Sequence, residues 1–145
     1  MRVLGIDPGT WTAGYGLLSS DAELNVEDWG AISFKAKTSL EQRLHGLYSR
    51  SLEIIRLRRP DELAIEDPFM GRGQHRYTGP AFALGQAQAS VLIAAASEGV
   101  PVYRYSPAEV KLAVADYGRA SKEQVQELLA AQLGIKFRFE KPDIA

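Results

Sequence analysis

Val3-Leu4-Gly5-Ile6-Asp7-Pro8-Gly9-Thr10 is an apolar strand that ends in a carboxylate at a Pro-Gly turn, and Leu63-Ala64-Ile65-Glu66 ends in the same way. In mid-strand an ionised acid would be buried at a cost of several kcal/mol. At the carboxyl edge of a parallel sheet it faces the crevice where ligands and ions bind. Two acids so placed predict a metal site built from oxygen ligands and set these residues apart from the rest of the 18 acidic side chains. For Asp7 the plainer alternative is a turn-stabilising carboxylate ahead of Pro8-Gly9.

The segments around these two strands supply the architecture. Arg2 to Ile6, Tyr15 to Ser19 and Trp29 to Phe34 read as strands separated by turn signals at Gly9, Gly14, Asp21 and Asn25, an antiparallel meander. Ser39-Leu40-Glu41-Gln42 has the form of a capping box. Leu40, Leu44, Leu47, Tyr48 and Ile55 follow at helical spacing until Arg59-Pro60 stops the helix. A strand, helix and strand crossover favours parallel pairing, so Leu63 to Glu66 is expected beside the first strand, with Asp7 and Glu66 at one edge.

After a loop from Asp67 to Thr78, the segment Pro80 to Ser97 is apolar nearly all round, with Gln86, Gln88 and Ser90 as exceptions and Gly85 and Ala89 four apart. A single sheet covers one stripe of such a helix. Its second partner is either the same helix of another subunit across a two-fold axis or a further layer of the monomer. Val102 to Tyr105 reads as a fifth strand. Ser106-Pro107-Ala108-Glu109 opens a short helix through Tyr117, and Ser121-Lys122-Glu123-Gln124 opens another through Leu133. The sequence stops at Lys141-Pro142-Asp143-Ile144-Ala145, where a Pro followed by an acid opens a new element, so the last helix is expected to be truncated.

With 145 residues, 46% of them hydrophobic, one domain spanning 1–145 is the expectation. The absence of cysteine excludes disulfides, zinc-thiolate sites and thiol nucleophiles, and fits a reducing cytoplasm. Neither a leader-like N-terminus nor an apolar run long enough to span a bilayer is present, so a cytoplasmic protein is expected. A net charge of −1 is neutral on nucleic acid, but the cations are grouped. Arg72, His75 and Arg76 share the loop after Glu66, Lys111, Arg119 and Lys122 form a second group, and Lys136, Arg138 and Lys141 a third. His45 and His75 lack metal-ligand spacing.

The strings Gly5-Ile6-Asp7-Pro8-Gly9-Thr10 with Gly14-Tyr15-Gly16, Ala64-Ile65-Glu66 with Phe69, Leu84-Gly85-Gln86-Ala87, Tyr105-Ser106-Pro107 with Val110-Lys111, and Tyr117 through Val125 run the length of the chain. In this order and spacing they resemble the bacterial Holliday-junction resolvase family RuvC. The first string alone also resembles the phosphate loop of actin-like ATPases and sugar kinases. The resemblance to resolvases implies an α/β, ribonuclease-H-like fold: a five-stranded mixed sheet, three strands antiparallel and the rest parallel, with helices on both faces.

The same resemblance implies a structure-selective endonuclease of recombination and DNA repair that nicks four-way DNA junctions in pairs, as a homodimer working with a branch-migration motor. It implies two Mg²⁺ ions per subunit, with Mn²⁺ as a substitute, on Asp7, Glu66 and Asp143. The family's final helix supplies two ligands three residues apart, of which Asp143 matches the first and the second would fall one residue past Ala145. A junction-binding module with impaired catalysis is therefore a second expectation. DNA contacts are implied at Phe69, Arg72, Arg76, Lys111, Arg119 and Lys122. Phe69 either stacks on a junction base or packs under its loop.

Overall fold

Alternation along the first strand decides which side of the sheet is buried. In β1 (Arg2–Asp7), Leu4 and Ile6 are buried while Asp7 at the end is exposed. The computed structural model describes residues 1–67, 79–116 and 118–134. There β1 pairs antiparallel with β2 (Thr12–Ser20), which pairs antiparallel with β3 (Leu24–Ser33). On its other side β1 pairs parallel with β4 (Glu62–Glu66), and β4 parallel with β5 (Val102–Tyr105). The strand order β3-β2-β1-β4-β5 makes one mixed five-stranded sheet, as the sequence leads one to expect.

Leu4 lies level with Leu17 and Leu63, and Ile6 with Tyr15 and Ile65, so one face of the sheet is a continuous apolar surface. Helices α1 (Leu40–Arg58) and α2 (Gly79–Ser97) pack on it, adding Leu47, Ile54 and Ile55 from the first and Ala87, Val91, Ala94 and Ala95 from the second to a single buried cluster. The small side chains of α2 let the two helices share that face. Ser39 caps α1 as the sequence indicates: its hydroxyl accepts from the Gln42 N–H at 3.3 Å while the Gln42 side chain accepts from the Ser39 N–H at 3.4 Å. Arg59, left-handed with φ 47°, ends the helix by donating its N–H to the Ile55 carbonyl.

The chain divides into two compact units, Met1–Ser106 and Pro107–Ala145. In the second, α3 (Pro107–Ala115) and α4 (Lys122–Leu133) pair, with the Gln132 side chain donating to the Val114 carbonyl at 3.0 Å. A second capping box joins Ser121 and Gln124, and Gly134, with φ 64°, caps the end of α4.

Three boundaries differ from the sequence reading by two residues or more. Strand β3 begins at Leu24, not Trp29, because its pairing with β2 continues past a bulge at Leu17/Leu18. The charged stretch Glu27-Asp28 disguises it, since an edge strand needs only one apolar face and charge there deters pairing with other chains. β2 likewise begins at Thr12, opposite Ser33. Helix α3 ends at Ala115 because Asp116 turns left-handed with φ 61°. Tyr117, where that helix was expected to end, lies outside the described residues.

Candidate metal centre

Asp7 closes β1 and Glu66 closes β4. The parallel ladder runs from Val3 beside Glu62 to its last pair, Ile6 beside Ile65. Asp7 and Glu66 each follow that last pair by one residue, so the two strands deliver them to the same edge. Neighbouring strands lie about 4.8 Å apart, and side chains level in register leave the same face. Both carboxylates therefore sit opposite the face that buries Ile6 and Ile65, Asp7 exposed and Glu66 half-buried. Two anionic oxygen donors held this close gain from a cation between them. Hard oxygen ligands at a solvent-reached edge suit an ion such as Mg²⁺, which keeps part of its water shell.

Each strand end is fastened from behind. On the Glu66 side, the Gln88 side chain reaches from α2 to donate to the Glu66 carbonyl at 3.1 Å. The β4–β5 ladder continues one residue further, with the Asp67 N–H donating to the Tyr105 carbonyl at 2.7 Å. The buried Asp67 carboxylate stands 3.7 Å from Arg104. On the Asp7 side, the last ladder pair is Asp7 with Gly14. The turn beyond it is drawn tight at Gly9, where a Cβ would stand 2.2 Å from the Thr12 carbonyl oxygen. Arg43 of α1 donates to the Thr10 carbonyl at 3.1 Å and stacks on the Trp11 ring at 3.8 Å from its centroid.

Asp7 and Glu66 are thus brought together. Lys111 on α3, half-buried, and the exposed Arg119 and Lys122 all belong to the second unit, Lys122 as the first residue of α4. Asp143, Phe69, Arg72 and Arg76 lie outside the described residues. Among the described residues, no three His, Cys, Asp or Glu side chains gather into a complete metal shell. The two carboxylates present have the donor chemistry such a shell requires. Sequence reasoning did not single out Arg43 or Gln88 for the site. Gln88 carried a signal, a polar residue in an otherwise apolar helix, whereas Arg43 carried none.

The model of the family "Crossover junction endodeoxyribonuclease RuvC" matches residues 3–145. A crossover junction endodeoxyribonuclease RuvC from Dehalococcoides mccartyi is 42% identical over 136 residues, which cover 93% of this chain and 79% of the relative. Among solved structures, Thermus thermophilus RuvC superposes with a TM-score of 0.78 at 33% identity, over 94% of this chain and 82% of that one. T. thermophilus RuvC in complex with a Holliday junction substrate gives 0.82 at 32% identity over the same shares. The ribonuclease-H-like sheet, the two strand-end acids and a family match spanning residues 3–145 lead to one conclusion: this chain belongs to the RuvC family of crossover junction endodeoxyribonucleases.

Proposed function

We propose that this chain is a Mg²⁺-dependent endonuclease that recognises four-way DNA junctions as a homodimer and nicks two strands of like polarity, in recombination and DNA repair. The observation that carries the reading is the placement of Asp7 and Glu66 side by side at the ends of two parallel strands. Metal dependence belongs to the family; all-oxygen ligation favours a hard cation such as Mg²⁺, while two ions per subunit, with Mn²⁺ as substitute, are what the family resemblance implies. Asp7 is assigned as the ligand common to both positions, Glu66 as a ligand of one, and Asp143 as a third carboxylate.

Metal bound at these acids would activate a water for in-line attack on a phosphodiester and stabilise the leaving 3′ oxygen. The chain's own part is electrostatic and geometric. Without a cation, two carboxylates at one edge repel a phosphate; with one, the same edge attracts it. Gln88 and the β4–β5 ladder hold the main chain of Glu66 in place, so its oxygen donors are set before DNA arrives. Phe69, Arg72 and Arg76, together with Lys111, Arg119 and Lys122, are proposed to hold the junction, the aromatic by stacking and the cations by phosphate contact. Residues 1–145 are read as one nuclease domain.

Support for the homodimer comes from the face of α2 turned away from the core. While Ala87, Val91, Ala94 and Ala95 are buried, Phe82 and Ile93 on the outer stripe are 59% and 58% exposed, with Ala89 and Ala96 exposed between and beyond them. A second copy presenting the same stripe would cover it and place two metal centres on a two-fold substrate. A branch-migration motor as partner and a cytoplasmic location complete the reading. No described helix is long and apolar enough to cross a membrane. The actin-like ATPase or sugar-kinase alternative is not favoured, because the resolvase family model spans residues 3–145.

The test is incubation of a labelled synthetic four-way junction, and of a linear duplex of the same sequence, with and without Mg²⁺. Symmetrically paired nicks in the junction alone, dependent on Mg²⁺, are expected. Junction binding without nicks would identify an impaired module, and equal cutting of the linear duplex would refute structure selectivity.

A further inference from the structure

We infer that Arg43 is a positioning residue of the metal centre, a brace from α1 that fixes the turn after Asp7; this rests on the reading of Asp7 as a metal ligand. The half-buried guanidinium is used in three directions. Its Nε donates to the Thr38 carbonyl at 3.2 Å, its Nη1 to the Thr10 carbonyl at 3.1 Å, and its flat face lies 3.8 Å from the centroid of the Trp11 ring. Among the described residues it forms no ion pair, so its role is to tie two main-chain segments and one ring together. A planar fork with five donors and a stackable face can do this, and an ammonium cannot reproduce it.

The turn needs such a brace. The β1–β2 ladder ends at Asp7 opposite Gly14, and beyond it Pro8 has no N–H to donate. The far end of the turn is held by the Phe34 N–H, which donates to the Trp11 carbonyl at 3.2 Å. Between those two points Arg43 holds Thr10 from the front of α1. With the brace removed, the Thr10 carbonyl turns to water and the Trp11 ring loses its cover. The peptide that carries the Asp7 carboxylate then samples a wider range of positions. Side chains that orient metal ligands without touching the metal typically influence affinity or rate by about 10–100-fold.

The test uses Arg43→Gln, Arg43→Lys and Trp11→Leu in the full chain, with two readouts. The first is the affinity of the DNA-free protein for Mn²⁺, followed by the electron paramagnetic resonance of the free ion. The second is single-turnover junction cleavage, resolved into the rate at saturating junction and the half-saturating junction concentration. Arg43→Gln is expected to weaken Mn²⁺ binding and slow cleavage by about 10-fold or more, with half-saturation within about 3-fold of the parent. Arg43→Lys should lie between, and Trp11→Leu should give a smaller change of the same kind.

Arg58→Gln serves as a stability control, because it removes the 2.9 Å pair between Arg58 and Asp28, made by the last residue of α1. It should lower the melting temperature without altering Mn²⁺ affinity. Unchanged Mn²⁺ affinity in Arg43→Gln, or an equal loss in Arg58→Gln, overturns the brace. If Arg43→Gln does not fold, the Lys and Leu variants decide by the same criteria. Asp7→Asn, run in parallel, separates the two readings. Full Mn²⁺ affinity and full cleavage there would remove Asp7 as a ligand, while a silent Arg43→Gln beside an inactive Asp7→Asn would remove the brace alone.

Discussion

Gly9→Ala puts a methyl group where the turn after Asp7 is tightest. Gly9 is not among the glycines with positive φ, so alanine meets no left-handed strain there and the destabilising effect is steric. Its Cβ would stand 2.2 Å from the Thr12 carbonyl oxygen and 3.3 Å from the Thr12 carbonyl carbon, against a closest observed approach near 3.0 Å. The obstructing atom is main chain, so relief requires the turn to open by about 0.8 Å, a shift delivered next to Asp7. Overpacking of this kind costs about 1–3 kcal/mol, which for a chain of this length lowers the melting temperature by roughly 3–12 °C. A displacement approaching 1 Å at a catalytic ligand slows the chemical step by roughly 10–100-fold. Thermal melting and single-turnover junction cleavage read the two effects. Gly16→Ala, whose Cβ meets nothing within 4 Å, is the control, and should be neutral or slightly stabilising because glycine loses more backbone entropy on folding. A Gly9→Ala protein that melts and cleaves like the parent would refute the claim that this turn is tight and sets the position of Asp7.

Arg2 donates to Glu27 Oε2 through Nε at 2.9 Å and Nη2 at 2.6 Å, and chiefly this bond holds the Glu27 carboxyl below its ordinary 4.5. A lowered folded-state value means the contribution is present above the unfolded value and fades as pH falls through the folded one. Thermal melts below about pH 4.5 should therefore fall more steeply for the parent than for Glu27→Gln, and parallel curves would contradict this. For the proposed homodimer, the parent is expected to sediment as a dimer at micromolar concentration, and Ile93→Glu or Gly85→Leu on the outer stripe of α2 to shift it to monomer while leaving the fold intact; a monomeric parent would reject the dimer. A mutant that stays dimeric would move the interface elsewhere.

The site's skeleton was legible because it depends on local pattern. An apolar run ending in an acid marks β1 and β4, and one helical crossover between them dictates that Asp7 and Glu66 share an edge. Capping boxes at Ser39 and Ser121 fixed two helix starts, since both depend on residues three apart. Edge strand β3 was half hidden by Glu27 and Asp28, whose charge is tolerated because only one of its faces is buried. The end of α3 was overrun because a left-handed Asp116 leaves no apolar break to read. Arg43 and Gln88 escaped notice as supports because their partners, the Thr10 and Glu66 carbonyls, are 33 and 22 residues away. A carbonyl that accepts a long-range side-chain bond leaves no mark in the sequence. The roles of Asp143, Phe69, Arg72 and Arg76 rest on family resemblance, as all four lie outside the described residues.

The central claim is that Asp7 and Glu66 together hold the metal that drives junction cleavage, and Asp7→Asn and Glu66→Gln test it most directly. Each substitution removes a ligand charge while nearly preserving shape and removing no phosphate contact. Junction affinity without metal should stay within a few-fold of the parent or rise slightly, since fewer carboxylates repel the DNA. Single-turnover cleavage in Mg²⁺ should fall by about 10³-fold or more, as several kcal/mol of transition-state stabilisation is lost. Parental cleavage rates in either variant, or loss of junction binding equal to the loss of cleavage, would contradict the assignment.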